Sequence, residues 1–104
     1  MHNIKLTKIA ADFINQLDNK SQNQVIKKIE SLKNNPTEVG NQLKGNLKEF
    51  RSIRSIGQRY RIIYKVNELD ILVVIIAIGV RKDGDRRDIY QLMKKYVKIG
   101  LFNE

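Results

Sequence analysis

The sequence has no cysteine and a single histidine among its 104 residues. The first absence removes disulfides, a thiolate nucleophile and any cysteine-ligated metal. The fold must then stand on packing alone, which suits a reducing cytoplasm. The lone His2 sits at the start of the chain, a poor place for a general base. There is no phosphate-cradling glycine loop, because Gly40, Gly45 and Gly57 are widely spaced and read as turn residues. No apolar run approaches the roughly 20 residues that a bilayer requires, so no membrane association is expected. The first six residues lack the apolar core and cleavage site of a signal peptide. Repeats and low-complexity segments are missing too.

What is present begins with Ile71 to Ile78, an unbroken apolar run of eight residues ended by Gly79. Six of the eight are β-branched, which favours a strand covered on both faces over a buried helix. The rest of one 104-residue domain arranges itself around this strand, with a tail expected over residues 99–104. Asn3 to Leu6 reads as a short first strand. Thr7 is a candidate N-cap for a helix over Lys8 to Leu17, with Ile9, Phe13 and Leu17 on one face. Ser21 and Gln24 form a capping-box pattern before a second helix, which carries Val25, Ile26, Ile29 and Leu32 and stops at Asn34-Asn35-Pro36.

The pattern then turns to strands. Glu49 to Ile56 has apolar residues three apart, leaving a bulge or a short helical stretch open. Arg59 to Val66 alternates, with Tyr60, Ile62, Tyr64 and Val66 on one side and Arg59, Arg61, Ile63 and Lys65 on the other. Asn67 to Asp70 makes the turn into the apolar strand. Asp85 is a candidate cap for a last helix over Arg86 to Val97. The expected class is α+β in the order β-α-α-β-β-β-α: a small antiparallel sheet with a helical hairpin on one face and a C-terminal helix.

The net charge of +9 is unevenly placed. Lys44 to Lys65 holds seven basic residues and one acid, and Arg81 to Lys98 holds seven basic residues and three acids. Both segments flank strands expected to be neighbours, so the excess points to a polyanion, foremost nucleic acid. A merely solubilising surface is the plainer alternative. Arginine grips phosphate bidentately and stabilises the added charge of a phosphoryl transition state. A tyrosine stacks on a base or transfers a proton, although Tyr60 and Tyr64 fit the core. Asp83, Asp85 and Asp88 alternate with cations and read as cap and ion-pair partners, so no metal site or other cofactor is expected.

The segment Leu43 to Tyr64, the apolar strand, Ile78-Gly-Val-Arg81 and Asp88-Ile-Tyr90 together resemble the RelE/ParE superfamily of toxins from type II toxin–antitoxin modules. The resemblance covers nearly the whole chain and implies a cognate antitoxin as partner. Its RelE-like branch implies a metal-independent endoribonuclease that cuts mRNA in the ribosomal A site, with the ribosome and mRNA as further partners. The 2′-hydroxyl attacks the adjacent phosphate, leaving a cyclic phosphate and a free 5′-hydroxyl. Residue by residue, the family's first arginine falls on Arg61, its second on Arg81 and its tyrosine on Tyr90. The implied roles are phosphorane stabiliser for Arg61, leaving-group partner or second phosphate clamp for Arg81, and general base for Tyr90. The family's lysines are unmatched: Arg51 and Arg54 stand in that strand, with Ser52 where a lysine would fall. Lys44, Lys48, Arg51, Arg54, Arg59, Lys82, Arg86 and Arg87 are the candidate RNA-binding residues. The ParE-like branch implies instead a DNA gyrase inhibitor without a nuclease site.

Overall fold

A computed structural model describes residues 1–102. It contains β1 (Asn3–Leu6), α1 (Lys8–Asn15), α2 (Asn19–Ser31), β2 (Asn41–Gln42), a 3-10 turn (Gly45–Leu47), β3 (Arg51–Ser55), β4 (Tyr60–Asn67), β5 (Leu72–Val80) and α3 (Ile89–Lys98). Among the described residues, no helix is long and apolar enough to cross a membrane. The expected α+β class and its C-terminal helix are present. The sheet is mixed, however, in the order β1-β5-β4-β3-β2. The β3-β4-β5 meander is antiparallel as expected, whereas β1 joins its edge parallel to β5, pairing Asn3 with Leu72.

The two faces of the sheet bury separate clusters. On one, Ala10 and Ile14 of α1 and Val25, Ile29 and Leu32 pack on Ile62, Tyr64, Val73 and Ile75. On the other, Ile89 and Met93 of α3 close over Leu47, Phe50, Ile63, Ile76 and Ala77. Side chains alternate across a strand, so one β-branched run feeds both clusters. Ile63 faces Ala77 but Tyr64 faces Ile75, so Ile76 is bulged out of register. Its carbonyl accepts from the Thr7 hydroxyl at 2.6 Å, while Thr7 Oγ1 itself accepts from the Ala10 N–H and caps α1. Thr7 thus ties the first helix to the bulge.

Two helix starts differ from expectation. Asp18, not Ser21, caps α2, accepting from the Ser21 N–H at 2.7 Å. Asp88, not Asp85, caps α3. In each case the capping carboxylate lies three residues from the residue expected, and an Asp accepts from first-turn N–H groups as well as Ser does. The irregular spacing of Phe50, Ile53 and Ile56 also resolves. Phe50 precedes β3 and enters the α3-side cluster, while Ile53 and Ile56 pack against the opposite one. Of the tail expected over 99–104, Phe102 stands edge-on to Phe50 and Tyr96; residues 103–104 lie outside the described residues.

The loop before β3 is pinned to the sheet. The wholly buried Tyr64 directs its hydroxyl at the Pro36 and Val39 carbonyls, at 2.9 and 2.7 Å. Gly40 is needed here, because a Cβ on it would stand 2.5 Å from the Ser52 carbonyl oxygen and its φ is +70°.

Candidate active site

Strand register brings the candidate residues onto the sheet face that α3 half covers. Arg54 pairs with Arg61, and Arg61 pairs with Gly79. Two residues along β3, Ser52 pairs with Ile63, so Ser52, Arg54 and Arg61 share one face. Arg81 follows Gly79 just past the end of β5, fixed by its N–H to the Arg59 carbonyl at 2.7 Å. Gly79 lets the helix approach: an added Cβ would lie 2.8 Å from Ile89 Cδ1 and 3.2 Å from Ile89 Cβ. With α3 seated there, Tyr90 comes up beside Arg81.

Arg81 and Tyr90 are in direct contact, the guanidinium carbon 4.7 Å from the ring centroid. Such cation–π contacts contribute about 0.5–2 kcal/mol. The Tyr90 hydroxyl meets the Ser52 hydroxyl at 2.8 Å, and Ser52 is almost fully buried. Asp88 orders the other end of the group. It is 1% exposed; Oδ1 accepts from Arg81 Nη1 at 2.5 Å and the Lys82 N–H at 2.6 Å, and Oδ2 from the Tyr90 N–H at 3.0 Å. Burial pushes the Asp88 carboxyl up, but the Arg81 and Lys82 hydrogen bonds outweigh it and hold the group below its ordinary range. The hydrogen bond that Arg81 donates to Asp88 in turn raises the Arg81 pKa further.

Arg61 folds back over the β3–β4 turn, donating from Nη1 to the Gln58 carbonyl at 2.7 Å and the Tyr60 carbonyl at 3.2 Å. Neither Arg54 nor Arg61 has a carboxylate within ion-pair distance among the described residues. Like charges directly opposite across a ladder repel, so an anion bound between them relieves a cost built into the sheet.

The other candidate cations divide by what they touch. Arg51 is drawn inward, with Nη2 donating to the Val39 and Gly40 carbonyls and Nη1 to Gln42. Lys82 and Arg87 both pair with Asp85, whose carboxyl the Arg87 hydrogen bond holds far below the usual carboxylate range. Lys44, Lys48, Arg54, Arg59 and Arg86 are exposed. His2 pairs with Glu68 instead of entering this group. Among the described residues, no three or more acids, histidines or cysteines cluster as metal ligands do. Ser52 carried no role in the sequence beyond occupying a lysine's place. Its shared parity with Arg54 was the available signal for the face it joins, but its contact with Tyr90 depends on where α3 docks.

A family model of ParE-like toxins of type II bacterial toxin–antitoxin systems matches residues 4–94. No curated protein matches the sequence. Among solved structures, the RelBE2 toxin–antitoxin complex from Mycobacterium tuberculosis aligns with TM-score 0.69 and 23% identity over 77% of this chain and 98% of that one. The isolated E. coli RelE toxin aligns at 0.67 and 21% over 93% and 99%. The RelE–RelB complex of Pyrococcus horikoshii aligns at 0.59 and 18% over 80% and 98%. At these identities the likeness is one of fold.

Proposed function

The chain belongs to the ParE-like toxins of type II bacterial toxin–antitoxin systems, and we propose that it acts within that family as a ribosome-dependent, metal-independent mRNA endonuclease. The observation that carries this reading is the grouping of Tyr90, held under Arg81, on the same sheet face as Arg54 and Arg61, which have no carboxylate partner among the described residues. A proton-transfer group beside guanidinium groups is what phosphodiester cleavage by an internal 2′-hydroxyl requires.

In this mechanism Tyr90 takes the proton from the 2′-hydroxyl as it attacks the adjacent phosphorus. Arg61 swings from the Gln58 carbonyl onto the equatorial oxygens, where charge grows in the phosphorane. Arg81 faces the departing 5′-oxygen, and the products are a cyclic phosphate and a free 5′-hydroxyl. Arg54 and the exposed Lys44, Lys48, Arg59 and Arg86 hold the flanking backbone, with Lys82 and Arg87 joining them on release from Asp85. The ribosome supplies the ordered mRNA, and a cognate antitoxin covers the basic surface until the toxin is free. Cytoplasmic location follows from that target.

The test is cleavage of mRNA on translating ribosomes by the purified protein and by Tyr90→Phe, Arg61→Ala and Arg81→Ala. Cuts phased with codons are expected, slowed about 100-fold or more in each of the three variants but still measurable in single-turnover experiments. Wild-type cleavage by all three variants overturns the residue assignment. Intact mRNA together with gyrase-dependent DNA breaks overturns the nuclease reading in favour of the gyrase-inhibitor branch.

A further inference from the structure

The Ser52–Tyr90 contact assigns a role to a residue that the proposed chemistry does not otherwise use. Resting on the nuclease reading, we propose that Ser52 is a positioning residue for Tyr90, holding the phenol oxygen and donating to it whenever that oxygen is deprotonated.

Three contacts over-determine where the phenol sits. Asp88 anchors the backbone N–H of Tyr90 at 3.0 Å, Arg81 lies over the ring at 4.7 Å, and Ser52 takes the oxygen at 2.8 Å. The first two fix the ring but leave its oxygen free to choose a partner. Ser52 makes that choice from a rigid place, because β3 is paired on both sides and Ser52 is only 3% exposed. A hydroxyl this buried needs a partner, and the only one given to Ser52 Oγ among the described residues is Tyr90.

Serine is suited to the task because its hydroxyl both donates and accepts, and its hydrogen rotates at little cost. With Tyr90 protonated, Ser52 accepts. With Tyr90 deprotonated, Ser52 donates, and the bond becomes charge-assisted and shorter. The proton count then closes. The 2′-proton passes to the Tyr90 oxygen, the O2′–P bond forms and the P–O5′ bond breaks. The departing 5′-oxygen takes a proton from water, the hydroxide left behind takes the proton from Tyr90, and the Ser52 hydrogen turns away and back as Tyr90 becomes neutral and is restored. Serine itself moves no proton to or from the RNA. Arg81 over the ring face adds a positive charge on the side that Ser52 does not reach.

Single-turnover cleavage on programmed ribosomes tests this with Ser52→Ala and Ser52→Thr, each alone and combined with Tyr90→Phe. Ser52→Ala is expected to slow cleavage about 10- to 100-fold, the scale of a misplaced proton-transfer group, with the half-saturating ribosome concentration unchanged. Ser52→Thr keeps the hydroxyl in a strand that favours β-branched residues and is expected to retain the wild-type rate within about threefold. In the Tyr90→Phe background Ser52→Ala is expected to have no further effect. The carbon-13 resonance of Tyr90 Cζ should move in Ser52→Ala and stay in Ser52→Thr, a readout independent of activity. Full-rate cleavage by Ser52→Ala, or the same slowing in the Tyr90→Phe background, overturns the role of Ser52 and leaves the nuclease reading standing. No cleavage by the unsubstituted protein overturns the nuclease reading and this role with it.

Discussion

Arg81 donates to Asp88 at 2.5 Å, and the carboxylate that receives it is also the N-cap of the helix bearing Tyr90. One buried acid therefore sets the positions of two candidate active-site residues that approach from different elements. Asp88→Asn is expected to cost about 2–4 kcal/mol, since it removes the buried charge opposite Arg81, leaving only the exposed Asp83 at 3.6 Å, while keeping the cap. Its pH signature is specific. The folded protein holds this carboxyl below its ordinary 3.8, so its contribution is complete above about pH 5 and is lost as pH falls through the lowered value. Urea unfolding at a series of pH values should show a shallower acid limb in Asp88→Asn; an unchanged limb would remove Asp88 from this account.

Gly79 sits directly beneath Ile89. Gly79→Ala is expected to destabilise by about 1–3 kcal/mol through overpacking and to lift the first turn of α3, Tyr90 with it. Ile89→Val trims Cδ1, the atom nearest the added methyl. The double variant should recover part of the loss of Gly79→Ala, seen in thermal melts and in ribosomal cleavage. Strict additivity of the two changes would show that the contact does not matter.

Tyr64 offers one proton to two carbonyls of the 36–39 loop. Tyr64→Phe should cost about 1–2 kcal/mol, the penalty of leaving buried acceptors short of a donor. Burial raises the Tyr64 hydroxyl above its ordinary 10.0, against the opposing influence of the Arg51 guanidinium nearby. Stability from the neutral phenol is thus full below about pH 10 and is lost as pH climbs through the raised value. Melting temperatures above pH 10 should fall less steeply in Tyr64→Phe than in the unsubstituted protein.

Ile71 holds φ +49° at the entrance to β5 while half its surface faces solvent. A β-branched residue in the left-handed region is strained, and asparagine adopts that region readily. Ile71→Asn is expected to raise stability by about 0.5–1 kcal/mol, a gain of several degrees in Tm for a domain of this size. A lower Tm would mean that the Ile71 side chain stabilises more than its backbone strains.

Much of this was legible in the chain because local signals agreed with the global fold. The β-branched run from Ile71, the alternation from Tyr60 and the Thr7 cap each name their element without tertiary help. That the strand of Arg61 lies beside the strand that delivers Arg81 followed from the meander, whereas the register of Arg61 with Gly79 did not. Other features depend on docking that no local pattern carries. The parallel seat of β1 is decided by which sheet edge is free, and the bulge at Ile76 lies inside an unbroken apolar run. Asp85 and Asp88 look alike as caps until one is buried against Arg81. Arg51 reads as another surface cation, yet the loop it holds folds back over it. The Ser52 hydroxyl becomes part of the site only because α3 settles on Gly79.

The pairing of Asn3 with Leu72 also sets an order of events during synthesis. β1 and both helices of the hairpin are made well before their supporting strands, β4 and β5. At about 5–20 residues per second, β1 waits several seconds for its only strand partner. Through that interval the hairpin has no sheet against which to bury its stripe, and Arg61, Arg81 and Tyr90 have not been assembled. A cell making this protein therefore carries an unfinished nascent chain until β5 and α3 emerge. A cognate antitoxin has that delay in which to be waiting.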